Sequence, residues 1–157
     1  MDKDSAILLV HTIRNTRVAS LATLADLEPR VSMVAYAPAA DFSAFYILAS
    51  KLAQHTVDMQ KNHSVGLMIA ETDDGRADPQ TLVRVSIRGR AEFFPAGEPG
   101  YTPAKELYLS RFPEAGELFH LDDFGLWSII PKGARYVAGL ARAYNLTPES
   151  LHKVSQR

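Results

Sequence analysis

Ser50 and Lys51 stand where an apolar, strand-like run gives way to helical spacing. A helix start exposes unpaired backbone N–H groups and the positive end of the helix dipole. A serine hydroxyl and a lysine ammonium added there make a seat for a phosphate. The same pair also reads as a plain helix cap beside a solvated lysine. His55 follows Lys51 by four residues, one helical turn on, where it either hydrogen-bonds a ligand or completes the helix's inner face. Arg84, Arg88 and Arg90 share one face of a strand, because alternate strand residues point the same way. Such a row is either wet or aimed at anions, and Arg17, at the start of an earlier strand, reads likewise. Trp127, the sole tryptophan, reads most simply as a buried barrel residue.

Other chemistries find little to use. The five histidines form no metal-ligand spacing and there is no His-Glu-x-x-His, so no metal site is expected. The acids Asp73-Asp74 and Asp122-Asp123 fall in loops. No Gly-x-Ser-x-Gly and no glycine-rich phosphate loop is present. Cysteine is absent, which removes disulfides, thiolate catalysis and Cys-ligated metals.

The elements that must position these residues follow from hydrophobic period. Residues 5–14 carry Ala6, Leu9, Val10 and Ile13 on one helical stripe. Strands are expected at 17–24 and 30–37, joined by a turn at 26–29, and at 44–49. Helical spacing runs from Ser50 to about Asn62. A strand at 64–71 and a loop at 72–80 precede the clearest strand, 81–94, whose odd positions are apolar or small. Thr102-Pro103 reads as a helix cap and first-turn proline, followed by a helix to Arg111 and a short helical piece near 114–119. Strands return at 124–130 and 134–144, and Thr147-Pro148 opens a last helix. The pattern lacks βαβ alternation. The expected fold is mainly β (α+β), an antiparallel six- to seven-stranded split β-barrel with flanking helices, in which closure removes exposed edges.

The 157 residues suit one domain, 1–157, with a helical tail at about 147–157. Seventeen basic and 18 acidic residues leave a net charge of -1, so neither nucleic acid nor an anionic membrane is an expected partner. No apolar run approaches the roughly 20 residues that span a bilayer. Met1-Asp2-Lys3-Asp4 lacks the basic start and apolar core of a secretion signal, and a cytoplasmic location is expected.

Three segments in this order, 17–23 (RVASLAT), the 30–36 strand and 49–56 (ASKLAQHT), resemble the pyridoxamine 5′-phosphate oxidase-related superfamily. The tail 131–144 (PKGARYVAGLARAY) is similar to its haem-utilisation-type branch. The resemblance covers about residues 5–145. It implies an FMN-binding split barrel that works as a homodimer, with FMN at the subunit interface and a small-molecule redox substrate. It further implies that Arg17, Val18, Ala19, Ser20 and Leu21, through backbone and side chains, line the flavin. Ser50 and Lys51 would hold its phosphate, with His55 in the helix that follows and Arg88 adding a polar contact. Trp127 then has a second reading, as a ring at the flavin edge. There is no C-terminal Arg-x-His of the kind that binds the pyridoxal substrate, and Lys51 lacks an adjacent arginine, so vitamin B6 oxidation is not expected. The expected activity is a flavin-dependent oxidoreductase with no assigned catalytic side chain. The alternative is a non-catalytic flavin or haem binding and storage protein.

Overall fold

The computed structural model describes residues 1–157. Helix α1 (Lys3–Asn15) starts at Asp2, whose carboxylate accepts from Ser5 N at 2.8 Å and from Ser5 Oγ at 2.8 Å. It buries the expected stripe of Ala6, Leu9, Val10 and Ile13. Strands β1 (Val18–Ala25) and β2 (Glu28–Ala35) form a hairpin around Asp26 and Leu27. Both turn residues have positive φ, 50° and 71°, which suits the right-handed strand twist. Pro29 therefore lies in β2, at a sheet edge where its missing N–H costs no ladder bond.

β3 (Ala37–Pro38) and β4 (Phe45–Ser50) follow, then α2 (Gln54–Lys61) and β5 (Ser64–Ala70). A short 3-10 turn at Pro79–Thr81 leads into β6 (Arg84–Phe94). Helix α3 (Tyr101–Arg111) and a 3-10 segment (Pro113–His120) precede β7 (Phe124–Val137), β8 (Ala143–Leu146) and α4 (Pro148–Ser155). The strands make one antiparallel sheet in the order β2-β1-β5-β6-β7-β4-β3, with β8 added to β7. This is the expected α+β split barrel.

Four boundaries differ from the expectation. Helix α2 begins at Gln54, because Ser50 still pairs with Phe124 as the last residue of β4. Helix α3 begins at Tyr101 behind Gly100, whose φ of 86° turns the chain into it, so Pro103 sits third and Thr102 does not cap. β6 starts at Arg84 rather than at residue 81. The two strands expected at 124–130 and 134–144 are instead one long β7, and β8 supplies the end of the second. The chain passes Pro131 without breaking because a bulge opens there. Gly89 pairs with Pro131 and Arg88 with Gly133, which leaves Lys132 unpaired.

The barrel core gathers Leu21, Ile47, Leu67, Ile87, Ile129 and Tyr136, each at most 1% exposed, and α1 closes over it. A smaller apolar cluster, with Tyr108 and Leu126 at its centre, seats α3 on the outer side of β4 and β7. Arg111 fastens α3 to the far end of α1. It donates to the carbonyls of Arg14 and Thr16, and its guanidinium lies 5.3 Å from the Tyr36 ring centroid. Helix α2 is pinned to the hairpin by Asp58, which accepts from Thr23 Oγ1 at 2.8 Å, Gln54 Nε2 at 3.0 Å and Arg30 Nη1 at 3.5 Å. The Gln54 bond, with Thr23 and the Arg30 charge, holds the Asp58 carboxyl below the usual range.

Two outcomes follow from this packing. A Cβ on Gly89 would come within 2.8 Å of the Ile130 carbonyl oxygen, and backbone cannot easily give way. Gly89→Ala is therefore expected to cost about 1–3 kcal/mol in urea unfolding. His55, half-buried beneath β2 with Nδ1 3.2 Å from Ser32 Oγ, has its pKa lowered from 6.5 by burial, against the opposing Asp58 charge. The unfolded chain thus takes up its proton first, and stability falls as pH drops below 6.5. His55→Gln should flatten that part of the stability profile.

Candidate functional site

The loop that leaves β4 carries the first two candidates. Ser50 Oγ accepts from Leu52 N at 3.1 Å and donates to Asp123 Oδ2 at 3.4 Å. Its carbonyl accepts from Thr56 Oγ1 at 2.6 Å. Lys51 donates its backbone N–H to Asp123 O at 2.6 Å, while its side chain is exposed and pairs with no carboxylate. The serine therefore organises the turn and the lysine projects from it. Because the helix starts three residues later than expected, at Ala53 as N-cap, Ser50 does not offer its hydroxyl to the helix dipole.

Lys51 and Trp127 line one cleft of about 310 Å³ at the open end of the barrel, although 76 positions separate them. Thr56, Gln60, His63, Phe93, Ala49 and Gly125 complete the lining. Trp127 is buried at 3% exposure and meets the half-exposed Phe93 edge-on, with centroids 5.6 Å apart. A Cβ on Gly125 would lie 2.6 Å from the Phe93 ring, so this glycine is what lets the ring settle against β7. His63 Nδ1 lies 2.9 Å from the Ala91 carbonyl. As donor in that bond, Nδ1 leaves Nε2 as the nitrogen with a free lone pair. Two aromatic rings, an unpaired ammonium, an amide and an imidazole suit a planar ligand that carries an anionic group. Sequence reasoning missed Gln60, His63 and Phe93. They sit at an element's end or just beyond, where no motif marks them, and only the return of β5 and β6 to the mouth of the barrel brings them together.

Residues 17–21 divide. Ala19 and Leu21 turn their side chains into the core, at 4% and 0% exposure, and line neither cavity. Arg17 precedes β1 and lies over Phe112, 5.2 Å from the ring centroid. Val18 and Ser20 face the outside of the sheet. There Ser20 is flanked by Met33 and Met68, and Ala22 by Val31 and Gly66.

Arg88 lies on this same outer face, next to Gly66 in register, with its guanidinium across Gly133. A shallow groove of about 390 Å³ joins it to Ala22, Pro29 and Lys132. The arginine row is only partly free: Arg84 donates to the carbonyls of Gln80 and Leu82, and Arg90 bonds Glu92. His55 turns toward Ser32 and lines neither cavity. Within one chain the candidates thus fall into two sets, Lys51 with Trp127 at the barrel mouth and Val18, Ser20 and Arg88 on the outer face. No grouping of three or more acids and histidines is placed to hold a metal ion, and no helix is long and apolar enough to cross a membrane.

Known proteins share this fold, and one shares sequence over most of the chain. The chloroplastic non-canonical heme oxygenase HOZ of Arabidopsis thaliana is 35% identical over 118 residues, covering 74% of this chain. The chain spans only 34% of that protein's length. A heme binding protein from Mycobacterium smegmatis superposes with a TM-score of 0.84 at 23% identity, over 98% of this chain and 62% of the other. A FAD-binding protein from Mesorhizobium loti superposes with a TM-score of 0.66 at 19% identity, over 82% of this chain and 89% of the other. The sequence model of the pyridoxamine 5'-phosphate oxidase family matches residues 9–138, from the middle of α1 to the end of β7. With that span matched on this barrel, the chain belongs to the pyridoxamine 5'-phosphate oxidase family.

Proposed function

We propose that this chain binds FMN, works as a homodimer and is a flavin-dependent oxidoreductase acting on a small molecule. The observation that carries the reading is the cleft shared by Lys51 and Trp127. Its residues suit the group: an unpaired ammonium for the phosphate, and the rings of Trp127 and Phe93 as an apolar wall. Ser50 assists by holding the turn that presents Lys51. FMN, when bound, supplies the electron chemistry, and the protein supplies orientation and polarity around it. The flavin named for the Mesorhizobium loti relative lends support at the level of the family.

The homodimer rests on the outer face. Val18, Val31, Met33 and Met68 are 45%, 72%, 73% and 40% exposed there, around the small side chains of Ser20 and Ala22. A second copy laid on this face covers apolar surface that water otherwise meets. It also brings Arg88 of one protomer toward its partner, which gives the outer-face set a place in a shared site.

A second reading, haem binding, has its own observation in His63. An imidazole whose Nδ1 is tied to a carbonyl presents Nε2 as a metal ligand. The names of the Arabidopsis and Mycobacterium relatives point the same way.

The absorption spectrum of the purified protein separates the two, since flavin and haem absorb differently. Lys51→Ala should weaken FMN roughly 10- to 100-fold, the loss of a hydrogen bond to a charged group. Unchanged FMN affinity by fluorescence titration would remove Lys51 from the site. Met33→Asp should turn the dimer into a monomer by light scattering, with the barrel's circular dichroism intact. A wild-type monomer that binds FMN tightly would overturn the shared site.

A further inference from the structure

A larger cavity lies apart from the two already described. It is a groove of about 580 Å³ on the outer side of β4, β6 and β7, where Tyr46, Ser128 and Glu92 lie side by side in register. Phe94, Pro95, Ile130 and Glu98 build its walls. Phe93 separates it from the Lys51–Trp127 cleft, lining both.

Three observations bear on what it takes. The first is charge: Glu92 and Glu98 line the groove, and no lysine, arginine or histidine does. Glu92 shares its charge with Arg90, 3.2 Å away, while Glu98 has no basic partner. The second is a polar floor without a partner. Ser128 is 93% buried, no hydrogen bond within the chain engages its hydroxyl, and it opens into the groove. The third is the aromatic wall of Tyr46 and Phe94, with ring centroids 6.2 Å apart. Burial, and then the nearby Asp41 carboxylate, raise the pKa of the Tyr46 phenol, which stays neutral at this wall. Asp41 is itself held at the rim by Ser43, whose N–H and Oγ donate to it at 3.0 and 2.6 Å.

A carboxylate without a counter-charge at Glu98, π faces and an unpartnered hydroxyl that opens into the groove favour one ligand class. A cation is attracted both by the acids and by ring quadrupoles. An anion is repelled by Glu92 and Glu98. A bare metal ion would leave the aromatic wall unused, and besides the acids it would meet only the neutral hydroxyls of Ser43 and Ser128 and the Tyr46 phenol. The cavity is of small-molecule size. We propose that this groove binds a small organic ammonium compound. Its charged nitrogen sits between Glu98 and the Ser128 hydroxyl, and its apolar body lies against Phe94, Pro95 and Ile130.

The test uses isothermal titration calorimetry of the full chain at fixed ionic strength, with 2-phenylethylamine as probe and 2-phenylethanol as its neutral counterpart. The amine should bind one to one and about fivefold or more tighter than the alcohol, as expected for an exposed ionic contact supported by cation–π attraction. Glu98→Gln should erase most of that preference and leave the alcohol unchanged. Ser128→Ala should weaken the amine, and amide shifts on titration should map to Tyr46, Phe94 and Glu98. Lys51→Ala should leave amine binding as it is, which separates this groove from the FMN reading. Equal affinity for amine and alcohol, no effect of Glu98→Gln, or shifts confined to another part of the barrel would overturn the proposal.

Discussion

Strand β7 has to satisfy two edges at once. On one side it pairs with β6 along eleven positions of that strand, from Arg84 to Phe94, and on the other with β4 from Phe45 to Ser50. Its far end also carries β8. A flat strand of fourteen residues could not follow a curled sheet on both sides. The extra residue at Lys132 supplies the bend, since a bulge increases local twist and turns the strand. Gly89 is the complement of that bend, because only a residue without Cβ clears the Ile130 carbonyl. Everything placed at the barrel mouth depends on this junction. It sets where Trp127 and Phe93 meet, and it fixes the side of the sheet on which Arg88 emerges.

The two faces of the sheet then divide the chemistry. The inner face is filled by apolar side chains until the mouth, where the wall ends and Lys51, His63 and Gln60 reach the opening. The outer face is apolar over β2, β1 and β5, basic along β6 from Arg84 to Arg90, and acidic and aromatic around Tyr46, Glu92, Phe94 and Glu98. One sheet therefore offers a cleft, a flat apolar patch and a negatively charged groove within a few strand widths. Helices α1 and α3, tied together through Arg111, close the other side of the barrel.

Much of the fold is legible in the chain because its strands alternate cleanly. In β6 the pattern of Val85, Ile87, Gly89 and Ala91 facing in is readable directly. Boundaries were harder where local signals and long-range pairing disagree. Ser50 looks like a helix cap, yet its ladder with Phe124, some 74 positions away, holds it in β4. Pro131 looks like a break, and a bulge absorbs it. At the site, Lys51 and Trp127 are readable as candidates, whereas the strand period alone already turns Ala19 and Leu21 toward the core and Val18 and Ser20 outward. His63 and Phe93 carry no local mark at all. Their place depends on where two strands return, and no spacing along the chain records that.

The double pairing of β7 also orders events in time. Until residues 124–137 are available, β4 and β6 each keep an unpaired edge, and the β1–β2 hairpin and the short β3–β4 pair are the strand pairs made from near neighbours in the first 60 residues. Contacts so distant along the chain close slowly, because loop entropy must be overcome before they are rewarded. During synthesis the first two-thirds of the molecule therefore emerges as an open sheet with bare edges. Residues 124–137 then cover the free edges of β4 and β6 in one step and complete the barrel.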